Sequence, residues 1–220
     1  AAAHPGPLAL TTTVGSAEFP ADLGLRCVVA PEDEILPLVQ ALADCERLAF
    51  ACPHSRGDRL AGLPPTMIAA LHEDTARLVT LVKADGARMR WLKAAKPGEP
   101  VLPPGTATVL AVTSARAFGE PLTDRVAHRL DRVLAVTGAA EGDVVTPELV
   151  ASLYTRPGGL LDGLDVPRII PVINMVDDET RLGPARAAAT AILESTTQIP
   201  RVILAAMKRA DEPVVEVIEG

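Results

Sequence analysis

The chain has 220 residues, 48% of them apolar and only 2% aromatic, with a net charge of −7. That length and apolar share suit a substantial aliphatic core of Val, Leu, Ile and Ala. The acidic balance argues against non-specific binding to nucleic-acid backbones, and no stretch reaches the roughly 18 apolar residues of a membrane span.

Apolar, β-branched runs bounded by turn residues recur along the chain. In order they are Leu8 to Val14, Arg26 to Ala30, Arg47 to Ala51, Leu78 to Ala84, Thr106 to Thr113, Arg168 to Ile173, Arg201 to Leu204 and Val214 to Ile218. Near-continuous apolar runs of this length read as strands covered on both faces.

Helical spacing falls between them. Ile35, Leu38, Val39 and Leu42 share a face within Glu34 to Cys45, and Pro65 to Leu71 follows a double proline. Leu122, Val126, Leu130 and Val133 predict a helix over Pro121 to Val136, with His128 and Arg129 on its solvent side. Thr146-Pro147-Glu148 reads as an N-cap, a first-turn proline and an acidic first turn, and Thr180 to Ser195 is Ala-rich. Strands alternating with helices predict an α/β fold. The expected architecture is one domain over 1–220, a mostly parallel sheet with helices on both faces. The Pro/Gly-rich stretch from Lys96 to Gly105 is expected to be a loop.

Cys27, Cys45 and Cys52 are odd in number and lack Cys-x-x-Cys spacing, so reduced thiols without metal are expected. The segment Ala1 to Pro7 lacks the basic and apolar regions of a signal peptide, which leads to an expected cytoplasmic location.

In open α/β sheets, ligands bind beyond the carboxyl ends of the strands. After the first run come Thr11, Thr12 and Thr13, whose hydroxyls can meet Mg²⁺ or phosphate but which are also ordinary strand residues. After the fourth run come Asp85 and Gly86, then Arg88, Arg90 and Lys93. An acid at a strand end suits hydrated Mg²⁺, so Asp85 is the candidate metal ligand, and the cations that follow suit an anionic ligand. The sixth run leads into Asn174-Met175-Val176-Asp177, similar to the Asn-Lys-x-Asp motif of guanine-nucleotide-binding proteins but with Met175 in place of Lys. Asn174 is the candidate loop anchor there and Asp177 the candidate base contact. All three strand ends are expected to converge on one face of one parallel sheet. No Gly-x-x-x-x-Gly-Lys-Ser/Thr loop occurs in the 220 residues.

The stretch from Ala84 to Ala94, followed by Pro97 to Pro103, resembles a signature of the selenium-dependent hydroxylase accessory proteins, the YqeC-like family. Thr11 to Thr13, Gly119 to Leu122 with His128-Arg129, Thr146 to Glu148, Pro157 to Leu160, Ile173 to Asp177 and Glu212 to Ile218 resemble further landmarks in the same order. The resemblance implies a P-loop-type nucleotide-binding fold, Mg-nucleotide as cofactor, and a role in maturing a molybdenum hydroxylase. A client hydroxylase or a cofactor-inserting enzyme is the implied partner. Members of the family usually carry a strand and a Gly-rich, Lys-Thr-containing phosphate loop before the threonine run, and nucleoside triphosphate hydrolysis is expected only with such a loop. Two further readings stay open: a non-catalytic assembly protein, and a small-molecule enzyme reusing the strand-end pocket.

Overall fold

The computed structural model describes residues 6–75, 79–209 and 211–220. Leu78, the expected start of the fourth run, lies outside them. The chain divides into two compact units, Ala1–Gly86 with Gly98–Gly105, and Ala87–Pro97 with Thr106–Gly220.

The first unit contains β1 (Leu8–Thr12), β2 (Ser16–Ala17), β3 (Arg26–Val29), α1 (Glu32–Gln40), β4 (Arg47–Pro53), β5 (Arg59–Ala61), α2 (Pro65–Asp74) and β6 (Val79–Lys83). Strands β3, β4, β1 and β6 are parallel neighbours, with β1 central between β4 and β6. The short β5 and β2 extend the end of β4 antiparallel. Helices α1 and α2 bury Ile35, Val39, Ile68 and Leu71 against Leu48, Phe50 and Cys52, which alternate onto one face of β4.

The second unit contains β7 (Leu92–Lys93), β8 (Thr108–Ser114), β9 (Ala127–His128), α3 (Leu130–Thr137), α4 (Pro147–Thr155), β10 (Arg168–Asn174), α5 (Glu179–Ser195), β11 (Arg201–Ala205) and β12 (Val214–Glu219). Its main sheet runs β12-β11-β10-β8, parallel except for β12, and β7 pairs with β9 in a separate parallel ribbon. Ala185, Ala188, Ala189 and Ile192 of α5 pack with Val150 and Leu153 of α4 in the core that also takes Ile173, Val202 and Leu204 from the sheet. Small residues on α5 let the helix backbone lie close to its neighbours.

The protein is therefore α/β, with five α-helices among the described residues and mixed sheets whose main pairings are parallel. Three expectations are corrected. The strand ends fall on two separate sheets rather than one, because β6 pairs only with β1 and β8 only with β10 among the described strands. Helices α1 and α2 share one face of their sheet instead of covering both, and in the second unit Leu110 (53% exposed) and Val112 (58%) stand on the face opposite Ala111 and Thr113. The helix expected over Pro121 to Val136 begins only at Leu130. Before it, Leu122 pairs its N–H with the Asp143 carbonyl (2.8 Å), and Ala127-His128 forms β9. Arg129 adopts a left-handed conformation (φ 59°), so it and His128 lie outside the helix. Leu122 and Val126 are buried at helical spacing without being helical, because a turn pinned by tertiary bonds satisfies the same burial.

The N-cap reading at Thr146 agrees with the structure: its hydroxyl accepts the Leu149 N–H at 3.2 Å, with Pro147 opening α4. No helix among the described residues is long and apolar enough to cross a membrane.

Candidate functional site

In the first unit the three threonines stand at the carboxyl edge of β1, and each hydroxyl turns to a backbone carbonyl. Thr11 donates to Phe50 O (2.8 Å) across to β4. Thr12 lies within donor reach of Val14 O (2.5 Å) and Lys83 O (3.0 Å), and accepts the Val14 N–H (3.1 Å). Thr13 donates to Val101 O (2.7 Å), while its N–H reaches Lys83 O (3.1 Å). A hydroxyl has one proton to give. The threonine run thus ties β1 to β4, to β6 and to the loop at Val101.

Gly62 belongs to the same corner. A Cβ there would overlap the carbonyl carbon and oxygen of Thr13 and the nitrogen of Val14. Next to it, the Leu63 N–H donates to Thr12 O at 2.9 Å. On the other side of β1, the Lys83 Nζ donates to Gly15 O (2.8 Å), and the half-buried Asp85 accepts the Gly86 N–H at 2.6 Å. Thr11, Thr12, Thr13, Asp85 and Gly86 are brought to one edge of one sheet, with Lys83 among them.

The other candidates belong to the second unit. Arg88 and Arg90 are exposed, and Arg88 and Met89 both take left-handed conformations (φ 48° and 64°). The Arg90 Nε donates to Asp124 O, which fixes that guanidinium to the turn before β9. Lys93 differs from a solvated cation: it is 6% exposed and sits in β7 in register with His128.

At the carboxyl edge of the second sheet, Asn174 Oδ1 accepts the Met207 N–H (3.1 Å), and the Val176 N–H donates to Ala205 O (3.0 Å). Asn174 therefore ties the β10 loop to the β11 loop. Met175 is left-handed (φ 63°), and its sulfur accepts from the Ser114 hydroxyl at 3.2 Å. The Asp177 carboxylate faces Arg181 (3.4 Å) and Arg116 (3.8 Å), and the Arg209 guanidinium donates to its backbone carbonyl at 2.9 Å. Asp178 caps α5, accepting the Arg181 N–H at 3.1 Å. The Thr180 hydroxyl on its carboxylate, aided by the Arg181 charge, holds its pKa below the ordinary carboxyl range.

Four residues at this edge escape a reading by motif: Ser114, Arg116, Arg181 and Arg209. Asking which polar residues follow each strand would have found Ser114 and Arg116, since they end the run from Thr106. Arg181 stands four residues after Asp177 on the first turn of α5, the spacing of a helical ion pair. Arg209 carries no local signal. Cys27 is exposed, Cys45 half-buried and Cys52 buried, with burial pushing the Cys52 thiol upward. No group of three or more His, Cys, Asp or Glu side chains among the described residues is placed to hold a metal ion.

Residues 2–131 match the family model described as YqeC protein, more than half of the chain. The chain belongs to the YqeC family. The match covers the threonine corner, Asp85, Gly86 and the cations at Arg88, Arg90 and Lys93, and it ends before Asn174 and Asp177. No curated protein and no solved structure matches the chain.

Proposed function

We propose that this YqeC-family chain is an accessory protein in the maturation of a selenium-dependent molybdenum hydroxylase, built on a nucleotide-binding type of fold. Family membership carries the reading. Two features support the nucleotide-binding part. Parallel strands end in Thr11 to Thr13 and Asp85 on one sheet, where α/β folds bind ligands. On the other sheet, Asn174 braces the loop that presents Asp177.

Mg²⁺ keeps several waters and needs only one or two protein carboxylates beside the phosphates of its nucleotide. A half-buried Asp85 at the end of β6 fits that demand. In this reading Asp85 holds the hydrated ion within the first unit, and Asp177 is the second unit's own candidate for a base contact. The partner is the client hydroxylase or the enzyme that inserts its cofactor.

The experiment is made in a host that depends on such a hydroxylase. Removing the gene for this protein should leave hydroxylase polypeptide present but inactive, and restoring the full-length gene should return activity. Unchanged hydroxylase activity in the deletion strain rejects the reading.

One observation favours a second reading, a non-catalytic assembly protein. The hydroxyl protons of Thr11, Thr12 and Thr13 already point at backbone carbonyls, as in a structural corner. That reading keeps the dependence on the client and loses the dependence on nucleotide.

A further inference from the structure

At the carboxyl edge of the second sheet, the half-buried Asp177 is held by its backbone. The Arg209 guanidinium donates to its carbonyl at 2.9 Å, and the same loop is tied to Met207 through Asn174 and to Ala205 through the Val176 N–H. The two carboxylate oxygens differ. Oδ2 faces Arg181 at 3.4 Å and Arg116 at 3.8 Å, whereas Oδ1 accepts no hydrogen bond among the described residues. Arg181 is already engaged by the Asp178 carboxylate at 3.0 Å. The exposed Arg116 stands at ion-pair distance but too far for a hydrogen bond, so its guanidinium N–H groups can serve a ligand. Read from one side, the edge offers an open acceptor, a second acceptor and then a donor.

We propose that this edge reads a 2-amino-4-oxopyrimidine ring, the hydrogen-bonding pattern shared by guanine and the pterins; the inference rests on the base contact proposed at Asp177. Such a ring presents an amino N–H, a ring N–H and a carbonyl oxygen side by side. The amino group meets Oδ1 and the ring N–H meets Oδ2. The carbonyl then falls on the Oδ2 side, where Arg116 stands. An ionised carboxylate only accepts, so two adjacent ligand donors are needed to serve both oxygens. Adenine and cytosine carry a ring lone pair beside their amino group, and uracil flanks its one N–H with two carbonyls. Each would set a lone pair against a carboxylate oxygen. Hypoxanthine has the carbonyl and the ring N–H but no amino group, and leaves Oδ1 unserved. A site that hydrogen-bonds a ligand group discriminates against the analogue that lacks it. The bonds to Arg209 and Met207 fix the loop beforehand, which lowers the ordering cost of binding.

The test is an NMR titration of the whole chain, following backbone amides, with guanosine, neopterin, inosine and adenosine, none of which carries a phosphate. Guanosine and neopterin should shift the amides of Met175 to Asp177 and of Met207, with inosine and adenosine binding at least about tenfold more weakly. Asp177→Asn sets a donor among the acceptors and should weaken guanosine and neopterin about tenfold or more. Arg116→Gln should weaken guanosine, neopterin and inosine alike, because all three carry the carbonyl, and leave the ratio of guanosine to inosine unchanged. Amide shifts away from the loop that match the wild type show that each variant is folded. Tighter guanosine assigns the ring to a guanine nucleotide, and tighter neopterin assigns it to a pterin. Adenosine or inosine binding as tightly as guanosine, or guanosine binding that ignores Asp177→Asn, overturns the ring assignment. Adenosine shifting the same loop as strongly as guanosine would still leave a base contact at Asp177. No shift with any of the four overturns that contact as well.

Discussion

Gly62 lies against the Thr13–Val14 peptide so closely that a single added side-chain carbon would overlap its carbonyl carbon, its oxygen and the next nitrogen. The atoms it would meet are backbone, and they belong to a turn already held by Lys83 O and Val101 O. Neither partner can rotate away. Gly62→Ala should therefore destabilise the protein by about 1–3 kcal/mol, the usual cost of overpacking. A thermal midpoint within a degree of wild type would show that the corner yields freely.

Thr12 is fully buried, and its hydroxyl serves Val14 N–H as well as the carbonyls of Val14 and Lys83. Thr12→Val keeps the shape and removes the hydroxyl. Lys83 O keeps the Thr13 N–H, but the Val14 N–H loses its acceptor. The expected loss is about 0.5–1.5 kcal/mol, the net worth of a hydrogen bond, here a partly buried one. Thr12→Ser, which retains the hydroxyl, should recover most of it. Urea titration of the two variants checks the difference, and equal losses would deny the hydroxyl its structural role.

The element types were legible because burial on a sheet leaves a periodic trace. The strands near Leu8, Arg47, Thr108, Arg168 and Arg201 all form, as do the helices after Pro65, Thr146 and Asp178. What the pattern could not carry was pairing. Nothing in Leu8 to Thr12 or Arg168 to Asn174 says which sheet each joins, because pairing is chosen by non-local contacts. The spacing of Leu122 and Val126 also misled, since a turn pinned by the Asp143 carbonyl buries the same residues as a helix face. At the strand ends, residue types were informative and side-chain direction was not. The Thr run offered hydroxyls for Mg²⁺ or phosphate as well as an ordinary strand reading, and the hydroxyls turn back onto carbonyls. Lys93 read as one of the cations for an anionic ligand, yet it is buried in β7.

Tyr154 is the one tyrosine in the chain and is fully buried. Its hydroxyl donates to Ala111 O at 2.9 Å and lies 3.1 Å from the Thr113 hydroxyl, so it pins α4 to β8. Burial pushes its pKa well above the ordinary tyrosine value, outweighing the Thr113 hydrogen bond. A raised folded-state pKa means that the stabilisation is full below the unfolded value, near pH 10, and is lost as pH climbs towards the folded one. Absorbance at the phenolate band should thus stay flat until the protein unfolds in alkali, then rise with the loss of circular dichroism. Tyr154→Phe should cost about 1–2 kcal/mol and flatten that part of the pH profile. Phenolate absorbance appearing while the fold is intact would contradict the burial argument.

The 220-residue chain should bind ATP or GTP with Mg²⁺ only weakly. Tight phosphate binding in nucleotide-binding folds rests on successive backbone N–H groups at a helix N-terminus and on a lysine that reaches the phosphates. The chain contains no Gly-x-x-x-x-Gly-Lys-Ser/Thr segment to supply them. The threonine hydroxyls do not substitute, because each already has a carbonyl to serve. Asp177 keeps acceptor oxygens for a base, but Arg181 and Arg116 compete for them, and Met175 brings no charge where the guanine-nucleotide motif has a lysine. Asp85 and the cations after it can attract a hydrated ion or an anion without enclosing a triphosphate. Isothermal calorimetry should accordingly show dissociation constants weaker than about 1 μM, a binding free energy short of roughly −8 kcal/mol. Fusing a Gly-rich Lys-Thr strand–loop–helix ahead of Ala1 should raise the affinity, and Asp85→Asn in that longer protein should lower it again by removing the Mg²⁺ ligand. Micromolar or tighter binding by the 220 residues alone would mean that the phosphates are held elsewhere in this chain. Affinity in the fused protein that ignores Asp85→Asn would remove Asp85 from the ion site.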